Sequence, residues 1–108
     1  MRLPTLAFAM FMGLSVGALA ANLTIAQKGR TFSSENVTIK KGGTLTFLND
    51  DSVPHNIMST SQGNEFNLGS QQPGASTDVT FKEAGEVHVI CAIHPRMKMT
   101  LTRRREER

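Results

Sequence analysis

Hydrophobic side chains recur at every second position along most of this chain. Leu23 and Ile25 alternate with Thr24 and Ala26, Val37 and Ile39 with Thr38 and Lys40, Leu45 and Phe47 with Thr44 and Thr46. The same rhythm returns in Val79 and Phe81, in Val87 and Val89, and around Leu101, while Ile57 follows the His55–Asn56 pair. A strand sends successive side chains to opposite faces, so a period of two predicts half-buried β-strands. Turn residues separate the runs: Lys41-Gly42-Gly43, Asn49-Asp50-Asp51-Ser52, Gln72-Pro73-Gly74 and Glu83-Ala84-Gly85. About seven short strands punctuated in this way predict an all-β chain folded as a β-sandwich. The polar, Gly-rich stretch from Thr60 to Gly74 reads as a loop with a short strand near Phe66 to Leu68. There is no internal repeat and no second domain.

Residues 1–20 read differently. Arg2 is followed by an apolar run from Leu6 to Val16, then by the small residues Ala18 and Ala20. This is the pattern of a secretory signal peptide cleaved after Ala20. The run is short for a membrane span of about 20 residues and lacks a basic stop-transfer flank. The expectation is therefore no stable membrane insertion after cleavage, and export to the periplasm where the host has one. No cysteine follows the run, which argues against a lipoprotein. The chain divides into a signal peptide (1–20), one domain (21–102) and a charged C-terminal tail (103–108). The formal charge of +3 is modest, and much of it sits in Arg103, Arg104, Arg105 and Arg108. These read as a solvated terminus, the alternative being a docking arm for an acidic partner or membrane surface. No aromatic residues interleave with them, so nucleic-acid binding has no support beyond charge.

Small exported domains gain from a staple, usually a disulfide. A single cysteine, Cys91, rules out an internal one. An odd thiol in an exported chain calls for another role, and its neighbours suggest one. Cys91-Ala92-Ile93-His94-Pro95-Arg96-Met97-Lys98-Met99 brings a thiol, an imidazole and two thioethers into one short stretch, and His55 follows Pro54 upstream. Two histidines, a cysteine and a weak methionine are the ligand set of an electron-transfer copper site. Cu(I) prefers soft sulfur and Cu(II) prefers nitrogen, so a mixed, stiffly held set changes little when one electron moves. Alternation puts Val87, Val89 and Cys91 on one face and His88 on the other, which makes His88 a surface histidine. Other roles for Cys91 are an inert buried thiol, a catalytic thiol, a zinc ligand or a ligand in a Cu(I) carrier. Methionine is a poor zinc ligand, and a small chain with no oxyanion site leaves little room for thiol catalysis. A copper-binding or trafficking protein is the closest rival to an electron carrier.

The steps Pro54-His55-Asn56 and Cys91-x-x-His94-Pro95-x-Met97 resemble those of the cupredoxin (type 1 blue-copper) family, closest to its amicyanin-like and plastocyanin-like branches. Val37 to Thr44 and Thr80 to Gly85 resemble the family's first sheet segment and its turn into the Cys strand. The resemblance implies a Greek-key β-sandwich with one copper ion at one end. It implies ligation by His55, Cys91, His94 and Met97, with Met99 as the alternative axial ligand. Met97 fits the short His-Pro-x-Met spacing and leaves Thr100-Leu101-Thr102 for the closing strand. Met99 occupies a position where the amicyanin pattern has Gly, and Ala92-Ile93 stands where Thr-Pro is common. Asn56 would hydrogen-bond across to the Cys91 loop. His94 would be the edge through which electrons pass, in an apolar patch made by Pro54, Ile93 and Pro95. The expected protein is a monomer, with no turnover of its own. It takes single electrons from a dehydrogenase or similar donor and passes them to a c-type cytochrome or oxidase.

Overall fold

A computed structural model describes residues 20–105, so the segment before Ala20 that the sequence reads as a signal peptide, and residues 106–108, lie outside the described residues. All regular structure among the described residues is β. The strands are β1 (Ala20–Lys28), β2 (Thr31–Phe32), β3 (Asn36–Asn49), β4 (Ile57–Ser59), β5 (Phe66–Asn67), β6 (Ser76–Thr80), β7 (Gly85–Cys91) and β8 (Lys98–Arg103). No helix among these residues is long and apolar enough to cross a membrane.

Strand β3 joins the two layers of a Greek-key sandwich. Its first arm, Asn36 to Ile39, pairs in parallel with Thr100 to Arg103 of β8. Its second arm, Thr44 to Asn49, pairs in parallel with β1 and, from Thr44 to Leu48, antiparallel with β6. One layer is therefore β2-β1-β3-β6 and the other β3-β8-β7-β4-β5. The turn expected at Lys41-Gly42-Gly43 is where the chain passes between layers. Gly42 has φ +83°, a conformation that disfavours any side chain.

The alternation does its work between the layers. Ile25, Ile39, Leu45, Phe47, Ile57, Val87, Val89 and Leu101 are fully buried. Four phenylalanines run through this core, with ring centroids 6.3 Å apart for Phe32–Phe47, 6.2 Å for Phe47–Phe66 and 6.0 Å for Phe66–Phe81. Edge-on and tilted contacts of this kind add to the gain from burial.

Two details depart from the sequence reading. The short strand β2 had no alternation to reveal it. Arg103, assigned to the solvated tail, instead closes the inner face of β8 at 8% exposure. It follows Met97, Met99 and Leu101 at the strand period, and parity overrides its charge.

Candidate metal centre

The β7–β8 loop is built by short hydrogen bonds. His94 N–H donates to the Cys91 carbonyl (3.2 Å), Met97 N–H to the His94 carbonyl (2.8 Å), and Cys91 N–H to the Met97 carbonyl (3.0 Å). This tight turn brings Cys91, the last residue of β7, and His94 to one end of the sandwich. The loop before β4 comes to the same place. His55 and Gln71 exchange backbone hydrogen bonds at 3.0 and 2.7 Å, which fixes His55 beside the end of β7.

The donor atoms of His55, Cys91 and His94 all lie within 4.8 Å of one another. Cys91 Sγ is 3.6 Å from His55 Nδ1 and 3.8 Å from His94 Nδ1. These separations are long for hydrogen bonds. They suit donors set around a common centre. His55 and Cys91 are fully buried, whereas His94 is partly exposed. A buried soft sulfur with two imidazole nitrogens is a donor set that copper matches.

Both imidazoles are held from behind. His55 Nε2 lies 3.0 Å from Asp51 Oδ2, which leaves Nδ1 for the centre. A carboxylate behind a ligating histidine fixes the ring's orientation and tautomer. The Arg30 backbone N–H, the His55 ring and the N–H groups of Ser52 and Gly29 hold the Asp51 carboxyl well below the usual carboxylate range, against an opposing effect of burial. On the other side, Arg30 Nε donates to His94 Nε2 at 3.2 Å. A guanidinium can only donate, so Nε2 accepts and the ring's proton sits on Nδ1. If Nδ1 takes a metal instead, the ring N–H passes to Nε2 and faces Arg30 as a second donor.

Asn56 ties the two loops together through its backbone. Its N–H points at Cys91 Sγ (3.3 Å), and its carbonyl accepts from Ala92 N–H (2.7 Å). Its side chain turns instead to Asn67 of β5, at 2.8 Å. Beneath His55 lies a buried polar belt. Gln71 Nε2 donates to the Phe47 carbonyl, Gln71 Oε1 accepts from Gln27, and Asn49 Nδ2 donates to the carbonyls of Val53 and Gln71. Gln27, Asn49 and Gln71 are all at most 3% exposed.

Met97 and Met99 are both buried, as their shared parity requires. Their levels differ. Met97 is hydrogen-bonded to Cys91, whereas Met99 is paired with Val89, deeper in the core. His88 points outward, toward Glu86 and Thr100.

Sequence reasoning missed Asp51, Arg30 and the Gln27–Asn49–Gln71 belt. Asp51 lies in a polar cluster that signals only a turn. A carboxylate four residues before a candidate ligand was the available hint, but loop spacing does not set distance. Arg30 is remote from His94 in sequence and carried no signal at all.

Residues 19–102 match the sequence model of the copper binding proteins of the plastocyanin/azurin family. Among solved structures, a purple cupredoxin from Nitrosopumilus maritimus is 30% identical, with a TM-score of 0.66 over 74% of this chain and 97% of that one. A Cu-containing nitrite reductase from Thermus scotoductus SA-01 is 26% identical, with a TM-score of 0.72 over 89% of this chain but only 26% of the reductase. An amicyanin variant in the Cu(I) state is 20% identical, with a TM-score of 0.68 over 81% of this chain and 86% of that one, a likeness of fold alone. No curated protein matches the chain.

Proposed function

The chain belongs to the copper-binding plastocyanin/azurin family of electron-transfer proteins, whose cofactor is one copper ion, and from that premise we propose that it shuttles single electrons between exported redox partners through a type 1 site. His55, Cys91 and His94 are the strong ligands and Met97 is the weak axial one. The observation that carries this is the cluster of three donors within 4.8 Å at one end of the sandwich, two of them fully buried. Met97 is preferred to Met99 because it is level with Cys91.

The protein's contribution is stiffness. The thiol is braced by Asn56, one ring by Asp51, and the loop before β4 by the Gln71 belt. Copper supplies the one-electron couple when bound. The surrounding residues hold the donors still, which keeps the reorganisation on electron transfer small. His94 is the only one of the three with solvent access, so it is the edge for electron passage. Burial of His55 and Cys91 supports a closed redox site over an exchangeable copper carrier.

Related domains also occur in enzymes, as the nitrite reductase illustrates. This chain carries one candidate metal cluster among the described residues. We assign it no turnover of its own and a monomeric state. Its donor is a dehydrogenase or similar protein and its acceptor a c-type cytochrome or oxidase. Residues 1–20 act as the export signal to the periplasm. Residues 21–102 form the domain and 103–108 the charged terminus, with Arg103 contributed to the last strand.

Protein-film voltammetry tests the function. The expected result is a reversible one-electron wave that persists over repeated cycles without loss of copper. Copper release on reduction contradicts the shuttle and favours a carrier.

A further inference from the structure

The hairpin turn joining β1 to β2 consists of Gly29 and Arg30, both left-handed, at φ 62° and 59°. Two positive φ values in succession are what a tight two-residue hairpin requires. Glycine and asparagine suit such positions, whereas other side chains pay about 1–2 kcal/mol. Arg30 is the one non-glycine residue with positive φ among those described. A strained residue is retained where the surroundings hold it, and such residues gather at functional sites. Its backbone N–H is bonded to Asp51 (3.0 Å) and its guanidinium lies on the exposed edge of His94.

Arg30 has company. Arg96 follows His94 by two residues, and Arg30, Arg96 and Lys98 line one small cavity of about 70 Å³ with Glu35 as the only carboxylate. Neither arginine has a carboxylate within ion-pair distance among the described residues. Asp51 is occupied by N–H donors and Asp50 pairs with Lys28 at 3.9 Å. Pro54 precedes His55, and Ile93 and Pro95 flank His94; all three are exposed. Ile93, at 51%, is the only large exposed hydrophobic residue described.

We propose that the His94 end is a docking face for an acidic redox partner, with Arg30 and Arg96 as its charged contacts around an apolar centre. This rests on the electron-transfer reading of the same site. Unpaired cations beside an apolar patch complement a partner whose own redox edge is rimmed by carboxylates. Such charges steer encounter at low salt and lose force as salt screens them.

Stopped-flow oxidation of the reduced, copper-loaded protein tests this. One electron passes to each oxidant: hexacyanoferrate(III), which becomes hexacyanoferrate(II); tris(phenanthroline)cobalt(III), which becomes cobalt(II); or an acidic c-type cytochrome. The rate with hexacyanoferrate and with the cytochrome is expected to fall as salt rises, and that with the cobalt cation to rise. The double variant Arg30→Asn/Arg96→Gln keeps a residue suited to the left-handed turn. It should lower the hexacyanoferrate-to-cobalt rate ratio about tenfold and flatten the salt dependence with the cytochrome. Arg96→Gln alone, which leaves the His94 contact untouched, should move the ratio in the same direction. A control pair at the opposite end, Lys40→Gln/Lys82→Gln, should leave it in place. An unchanged ratio in the Arg30/Arg96 variant with its visible band intact, or an equal change in the control pair, overturns the docking face. No electron exchange with any oxidant overturns the electron-transfer reading and the docking face with it.

Discussion

Asp51 meets the candidate metal cluster through His55. With its carboxylate 3.0 Å from Nε2, it holds the ring so that Nδ1 faces Cys91. Asp51→Ala is expected to weaken copper binding about 10–100-fold, read by competition with a chromogenic Cu(I) chelator. Asp51→Asn, which can still accept from Nε2–H, should recover part of the loss. Equal loss in both variants would mean that charge rather than orientation matters. The depressed Asp51 carboxyl also has a pH consequence for the metal-free chain. Its stabilising effect is fully present above the ordinary value of 3.8 and is lost as the pH falls from there through the lower native value. The acid limb of an unfolding curve should therefore flatten in Asp51→Asn; an unchanged limb would contradict this. For the axial position, Met97→Ala should shift the reduction potential far more than Met99→Ala. The reverse ranking would move the ligand one strand step inward. The proposed ligands were legible in the sequence because three of them fall in one loop with a distinctive spacing, and the structure brings His55, Cys91 and His94 together. Asp51 and Arg30 were not, because their contacts depend on how loops distant in sequence meet in space.

Strand β3 shows how much an element owes to a single residue. Its two arms alternate as the sequence suggests, and the layers join because Gly42 takes φ +83° at the crossing. No atom lies within 4 Å of a Cβ added there, so the cost of a side chain is that of the backbone alone. Gly42→Ala is expected to destabilise the fold by about 1–2 kcal/mol in chemical denaturation while leaving the copper spectrum unchanged. A neutral substitution would mean that the crossing tolerates another backbone path. The strands with good alternation, β1, β3, β7 and β8, were visible from sequence. Strand β2 is two residues long and is defined by pairing with Gln27 and Lys28, which local pattern cannot express. The buried belt of Gln27, Asn49 and Gln71 was hidden for the opposite reason, since polar residues at strand ends read as surface. Gln71 holds the carbonyl of Phe47 and both backbone groups of His55. Its side-chain share can be isolated. Gln71→Ala would leave the Phe47 carbonyl without that donor and should destabilise the chain by about 1–3 kcal/mol.

Among the described residues, the candidate metal cluster lies at one end of the sandwich and the close of β8 at the other. The proposed copper chemistry, partner contact and electron passage all converge where the loops after β3 and β7 meet the β1–β2 turn. The far end, with the Gly42 crossing and the close of β8, serves the fold. Deleting residues 104–108, which leaves Arg103 in β8, should therefore leave the visible spectrum as it was. A lost or shifted band would make the tail part of the structure. The central claim is that the Cys91 thiolate binds Cu(II) beside His55 and His94. Visible absorption and EPR of the copper-loaded chain from Ala21, compared with Cys91→Ser, test it most directly. The expected result is an intense charge-transfer band with narrow copper hyperfine splitting, absent from the serine variant; a pale, ordinary Cu(II) spectrum, or a band that survives Cys91→Ser, would contradict it.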